Sequence, residues 1–164
     1  MHTPQFFQFK DDGNMPNNAL LDVIFYPAVF KGTPGDIEAI FNKHQWTNSW
    51  TNGVFAFHHY HSNTHEVLGV KCGWALLQLG GENGQVVRVT TGDVVLLPAG
   101  TGHKKLEASA DFQIVGAYPG SVSPNLKIGD PGERPFVLEA IQNTPLPKTD
   151  PVYGDKGPVL DCWW

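Results

Sequence analysis

Glycine, proline and Asn-Gly turns divide the middle of the chain, residues 53–118, into short runs of residues that favour β-strands. Strands are expected near residues 54–61, 66–71, 74–79, 85–90, 94–97, 103–107 and 112–118. Seven or more short strands separated by turns are typical of a sandwich or barrel. Only 16% of residues are charged, whereas there are 18 glycines and 13 prolines. The sequence therefore predicts an all-β fold rather than a bundle of long helices.

The 164 residues are enough for one domain. Its core barrel is expected at about 50–118, with an N-terminal strand and helix in 19–45 and a C-terminal region, 119–164, packing on it. The helix is expected to start at Thr33 and end near Gln45. A second short helix is expected over 134–142, and residues 1–18 are expected to form an arm or loop.

The charge and the cysteines exclude several classes of protein. A net charge of -5 argues against binding nucleic acid, and no apolar run approaches the roughly 20 residues of a membrane span. The N-terminus lacks the pattern of a secretory signal. The two cysteines, Cys72 and Cys162, do not form a disulfide framework, so reduced thiols and a cytoplasmic location are expected.

Four of the seven histidines lie between His58 and His65. In a strand, residues two apart share a face, so His59 and His61 are expected to point the same way. Glu66 follows a turn-like segment and could bring a carboxylate to the same place. Imidazole and carboxylate groups bind transition metals, although the same pair of histidines could simply be hydrogen-bonded surface or core residues.

The spacing of these residues resembles the two signatures of the cupin superfamily. The first reads Gly53-x5-His59-x-His61-x4-Glu66-x6-Gly73, and the second reads Gly92-x5-Pro98-x-Gly100-x2-His103. The one departure is Glu107, where the second signature usually ends in Asn. Segments around 98–103, 116–119 and 150–154 are similar to small bacterial cupins of the YjlB-like group.

This resemblance implies a double-stranded β-helix, the cupin jelly-roll barrel, with one or two short peripheral helices. It also implies a divalent metal ion (Fe, Mn, Ni, Zn or Co) held by His59, His61, Glu66 and His103 near the barrel mouth. In six-coordinate geometry, two positions would stay open for water, oxygen or substrate.

Other residues near the signatures are candidates for catalysis or binding, although no catalytic residue is fixed by the sequence. Lys105 and Glu107 alternate with His103 and are expected to face the cavity, as an anion-binding or proton-transfer pair or, alternatively, as an exposed ion pair. Tyr118 could reach the same pocket. His65 could replace a ligand or orient one.

The expected function is action on a small organic molecule at this metal site, as an oxygenase or an isomerase-type enzyme. The alternatives are a non-catalytic binding or sensing protein and a metal-free isomerase or epimerase with His61 or His103 as base. A homodimer is expected because the C-terminal Trp163-Trp164 pair and the Val94–Leu97 run are strongly apolar.

Overall fold

A computed structural model describes residues 3–164, and nine strands account for most of its regular structure. The strands are β1 (Gln5–Phe7), β2 (Val23–Tyr26), β3 (Trp46–Asn52), β4 (Glu66–Cys72), β5 (Trp74–Leu79), β6 (Gln85–Thr90), β7 (Val94–Leu97), β8 (His103–Ala108) and β9 (Gln113–Pro119). The helices are α1 (Ile37–Lys43) and α2 (Phe136–Asn143), with 3-10 turns at Pro34–Asp36 and Pro131–Glu133 and a π-helical turn at Val159–Trp163.

The strands form two antiparallel sheets. The larger sheet has the order β1-β2-β7-β4-β9-β3, and the smaller has the order β6-β5-β8. Large side chains from both sheets, such as Leu68 of β4 and Leu77 of β5, meet in one buried cluster between them. Two facing antiparallel sheets around a shared core are the architecture of a jelly roll, so the predicted all-β cupin fold is confirmed.

The hairpin from β5 to β6 lies where the sequence predicts its two strands. In its turn, Gly80 and Gly81 take a positive φ of +87° each, whereas Asn83 and Gly84 do not. A Cβ atom on Gly84 would overlap the backbone carbonyl of Leu79, so this position needs glycine for close packing.

The prediction of a strand over 54–61 is wrong for most of that segment. This segment is irregular apart from isolated bridges at His59 and Tyr60. Two strands were missed. One is β1, which lies within the expected N-terminal arm and pairs with β2. The other is β3, which within residues 3–164 is an edge strand paired with β9 and carries mostly polar residues. It is also interrupted by a bulge near Asn48, whose φ is +54°.

The chain covers its own apolar end and its central apolar strand. Trp163 is 5% exposed and packs in a core cluster with Val159 and residues of the larger sheet, whereas Trp164 is 65% exposed. All four residues of β7 are buried, because Val94 and Leu96 pack in one core cluster and Val95 and Leu97 pack in another. Trp163 and β7 therefore do not need a partner subunit to cover them, whereas Trp164 stays largely exposed. No helix within residues 3–164 is long and apolar enough to cross a membrane.

Candidate metal centre

Three segments of the chain bring the predicted ligands to one end of the two sheets. Glu66 is the first residue of β4, and His103 is the first residue of β8. His59 lies in the irregular segment, but its backbone pairs with that of His103 through hydrogen bonds of 3.2 and 2.9 Å. This bridge fixes the His59–His61 segment beside β8 although it forms no regular strand there.

His61, Glu66 and His103 form a compact group whose ligand atoms all lie within 4.8 Å of one another. The Nε2 atoms of both histidines are 3.3 Å from Oε1 of Glu66. His59 lies outside this group of three, although its ring centroid is only 4.0 Å from that of His103 and 6.1 Å from that of His61. The structure thus brings three of the four predicted ligands together and places the fourth beside them.

Each of the three histidine rings is oriented by a backbone carbonyl. Nδ1 of His59 lies 2.9 Å from the carbonyl oxygen of Phe57, and Nδ1 of His103 lies 3.0 Å from that of Thr101. Nδ1 of His61 contacts the carbonyl oxygen of Asn125. Because a carbonyl only accepts, Nδ1 carries the hydrogen in each ring, and Nε2 of a neutral ring presents its lone pair. Metal-binding histidines are oriented in this way.

The carboxylate of Glu66 is only 3% exposed. Its Oε2 accepts a 2.8 Å hydrogen bond from the Tyr118 hydroxyl, which in turn accepts one of 2.8 Å from Nε1 of Trp50. Burial alone would raise the pKa of Glu66, but the rings of His61 and His103 outweigh it and hold this pKa well below its usual value. Glu66 is therefore ionised at neutral pH.

A cation is needed among these groups because a carboxylate oxygen and two ring lone pairs would otherwise face one another in a buried space. One solution is a proton on His61: burial would lower the pKa of His61, but the Glu66 carboxylate outweighs it and raises this pKa. The other solution is a divalent metal ion, for which imidazole and carboxylate are suitable ligands. The donor set fits such an ion.

His59 is suited to metal binding by its protonation state. Burial, followed by the neighbouring His103, lowers the pKa of His59 to about 3. The ring is therefore neutral at physiological pH, and the neutral imidazole is the form that binds metals. Within residues 3–164, its Nε2 makes no hydrogen bond, and His59 lines the cavity described next.

A cavity of about 620 Å³ opens above this group. The size is that of a site for a small molecule. All four predicted ligands line it, as do two of the three predicted catalytic candidates, Lys105 and Tyr118. Residues that the sequence did not predict also line it, including Trp50, Phe55, Asn125 and Leu126.

Glu107 departs from the prediction, because it is exposed and does not line the cavity. The cause is an irregularity in the pairing of β8 with β5. Lys105 pairs with Leu77, but Glu107 pairs with the adjacent residue Leu76, so β8 contains one extra residue. Such a bulge reverses the alternation of side chains, and it turns Glu107 to the outer face.

His65 is placed away from the ligand group. Its Nδ1 accepts a 2.9 Å hydrogen bond from the backbone N–H of Ala99, and its Nε2 donates one of 3.0 Å to the carbonyl oxygen of Pro145. Both ring nitrogens are thus used in holding two loops. Burial lowers the pKa of His65 to about 4, which keeps the ring neutral.

Asn125 is a functional candidate that sequence reasoning missed. Its backbone carbonyl orients His61, and its side chain holds the turn that follows: Oδ1 accepts from the N–H of Ser62 at 2.9 Å, and Nδ2 donates to Oγ of Ser62 at 2.8 Å. Its own N–H donates to Oδ1 of Asn63 at 3.0 Å. No local signal in the Gly/Pro-rich loop indicates this role, because its partners lie more than 60 residues away.

Two solved structures illustrate the remote similarities of this chain. A crystal structure of acireductone dioxygenase from Bacillus anthracis, with a cadmium ion in the active centre, is 18% identical and has a TM-score of 0.38, over 59% of this chain and 62% of that one. A DUF861 family protein from Thermotoga maritima is 24% identical and has a TM-score of 0.34, over 51% and 89% of the two chains. Similarities of this size carry no conclusion about activity.

Comparison with known sequences gives a much closer relative. No protein-family model matches the chain. However, the uncharacterized protein YjlB of Bacillus subtilis (strain 168) is 45% identical over 159 residues, which cover 97% of this chain and 96% of that protein. Together with the two signatures and the jelly-roll architecture, this similarity shows that the chain belongs to the YjlB-like group of small cupins.

Proposed function

We propose that this protein holds a divalent metal ion with His61, Glu66 and His103, joined by His59 as a fourth ligand, and acts on a small organic molecule in the cavity. The observation that carries the proposal is the orientation of the rings. Nδ1 of each of the three histidines faces a backbone carbonyl. With the rings held in this way, Nε2 of His61 and Nε2 of His103 both face the buried carboxylate of Glu66. Hydrogen bonding alone does not require this arrangement, whereas a metal ion uses every lone pair in it.

The surrounding residues would support such a site in distinct ways. Glu66 supplies the one negative charge among the ligands, and the Tyr118 hydroxyl holds its carboxylate in place. Trp50 and Leu68 form part of the cavity wall beside these ligands. When bound, the ion would supply Lewis-acid or redox chemistry at its open positions. Iron, manganese, nickel, zinc and cobalt all accept this ligand set.

Elemental analysis tests the proposal directly. The protein is purified without added metal, and its metal content is measured before and after reconstitution. Stoichiometric metal is expected in the wild type, and much less is expected in His61→Gln and His103→Gln. His58→Gln is the matched control, because the ring of His58 contacts Glu82, at 2.7 Å, instead of the ligand group.

The proposal fails if the metal content of reconstituted wild-type protein stays substoichiometric, or if His58→Gln loses as much metal as His61→Gln.

Oxygen uptake by the iron-loaded protein then separates an oxygenase from a binding or sensing protein. A homodimer and a cytoplasmic location remain predictions. Light scattering that shows a monomer at micromolar concentration would contradict the dimer.

A further inference from the structure

We infer that the cavity binds a carboxylate attached to an apolar body, and that Lys105 is the residue that recognises the carboxylate. The inference deepens the proposed function and rests on it for the location of the ligand, since the cavity is the one above the candidate metal centre.

The register of β8 places Lys105 on the inner side of the barrel. Lys105 pairs with Leu77, which is fully buried between the sheets, and directly paired residues of antiparallel strands have their side chains on the same face. Lys105 also follows His103 by two residues, which is about 7 Å along a strand. The bulge that turns Glu107 outward begins only after Lys105, so the lysine keeps its inward position.

The charge of Lys105 is not balanced by the protein. The salt bridges formed within residues 3–164 do not include it, although lysine rarely faces a protein interior without a partner. Of the cavity-lining residues that the structure describes, Glu66 is the one with a carboxylate, and its oxygens are already engaged by Tyr118, His61 and His103. A divalent ion would give the cavity a net positive charge and leave Lys105 free for an anion.

The remainder of the cavity wall is suited to an apolar group. Phe55 and Leu126 line it and are 53% and 48% exposed. The ring of Phe55 stacks on that of Phe57, with centroids 4.9 Å apart. Large apolar side chains in contact with water at a cavity mouth are typical of a binding surface, and an apolar ligand body would cover them. The one positive charge of an ammonium group matches the single charge of a carboxylate, whereas a phosphate monoester carries about −1.5 to −2 at pH 7.

Three probes separate the two parts of this ligand. Phenylacetate carries both the carboxylate and an apolar body, phenylacetamide keeps the body without the charge, and acetate keeps the charge without the body. Their dissociation constants are measured by calorimetry on wild type, Lys105→Gln and Lys104→Gln. Lys104 is the matched control because it is the adjacent residue of β8 and does not line the cavity.

The expected result is that wild type binds phenylacetate more tightly than either other probe. Lys105→Gln should weaken phenylacetate by about tenfold or more, the effect of losing one charge-assisted hydrogen bond, and leave phenylacetamide nearly unchanged. Lys104→Gln should change neither, and Lys105→Arg should restore the preference. Circular dichroism of each variant checks that it is folded.

The inference is wrong if wild type binds the acid no better than the amide, or if Lys104→Gln and Lys105→Gln weaken phenylacetate equally. Metal content is measured on the same samples. A protein that takes up no metal but still shows a carboxylate preference dependent on Lys105 would refute the proposed metal site and support this inference. Normal metal content with no such preference would do the opposite.

Discussion

Replacing Tyr118 with phenylalanine removes a single oxygen atom from the buried network at the candidate metal centre. That hydroxyl donates to Glu66 and accepts from Nε1 of Trp50, both at 2.8 Å. Burial and the adjacent Glu66 carboxylate raise the pKa of Tyr118 well above its usual value, so it is a protonated donor at neutral pH. The substitution therefore leaves a fully buried carboxylate with one partner fewer.

The expected cost follows from the charge on Glu66. A hydrogen bond to a charged group contributes about 1.5–3 kcal/mol to stability, whereas one between neutral groups contributes about 1 kcal/mol. Trp50 borders the cavity, so water can replace the lost acceptor at its Nε1. We expect Tyr118→Phe to lower the free energy of unfolding by about 2–3 kcal/mol. In a Glu66→Gln background, the same change should cost only about 1 kcal/mol, since its partner is then neutral.

Urea unfolding of chelator-treated protein, followed by tryptophan fluorescence, measures both costs. Tyr153→Phe is the matched control, because Tyr153 is 36% exposed and its hydroxyl makes no hydrogen bond within residues 3–164. Its free energy of unfolding should change by less than about 0.5 kcal/mol. The reasoning is refuted if Tyr118→Phe costs no more than this control, or if its cost is the same with Glu66 present or replaced.

Three further outcomes are expected. Asn125→Ala should weaken metal binding by about 10–100-fold in calorimetric titrations, because it loosens the loop whose carbonyl orients His61; unchanged affinity would show that the loop is held by other contacts. Burial lowers the pKa of His65 to about 4, so as the pH falls His65 is protonated in the unfolded chain before it is protonated in the folded protein. His65 should therefore make the protein less stable by up to about 3 kcal/mol between pH 6.5 and 4, and an NMR titration of this ring with a midpoint near pH 6.5 would contradict this. Glu107→Gln should leave metal and phenylacetate binding within twofold, since the side chain faces outward; a larger loss in either titration would place it in the site.

The strands that carry the core were the most predictable part of this chain. β5 and β6 are short runs rich in apolar residues on either side of a glycine-rich turn, and all of β7 is apolar and buried. β3 was missed because Asn and Ser interrupt its strand-favouring Trp and Thr residues, and its edge position leaves no continuous apolar run. Its strand pairing comes from β9, which lies more than 60 residues further along the chain.

The candidate metal centre was predictable to the extent that it depends on spacing. His61, Glu66 and His103 converge although residues 54–61 form no regular strand. The backbone bridge between His59 and His103 holds this segment beside β8, as a paired strand would. The prediction that Glu107 faces the cavity was wrong because one extra residue in β8 moves its side chain to the outer face. Side-chain alternation in the sequence does not reveal such a bulge. The contribution of Asn125 depends on loop packing for which the sequence has no periodic signal.

Anomalous diffraction from crystals soaked in cobalt is the most direct test of the metal centre. The account predicts a single strong peak at the cobalt edge, about 2.0–2.2 Å from Nε2 of His59, His61 and His103 and from a carboxylate oxygen of Glu66, the usual range for such ligands. A peak at another position, or none with cobalt in excess, would contradict it.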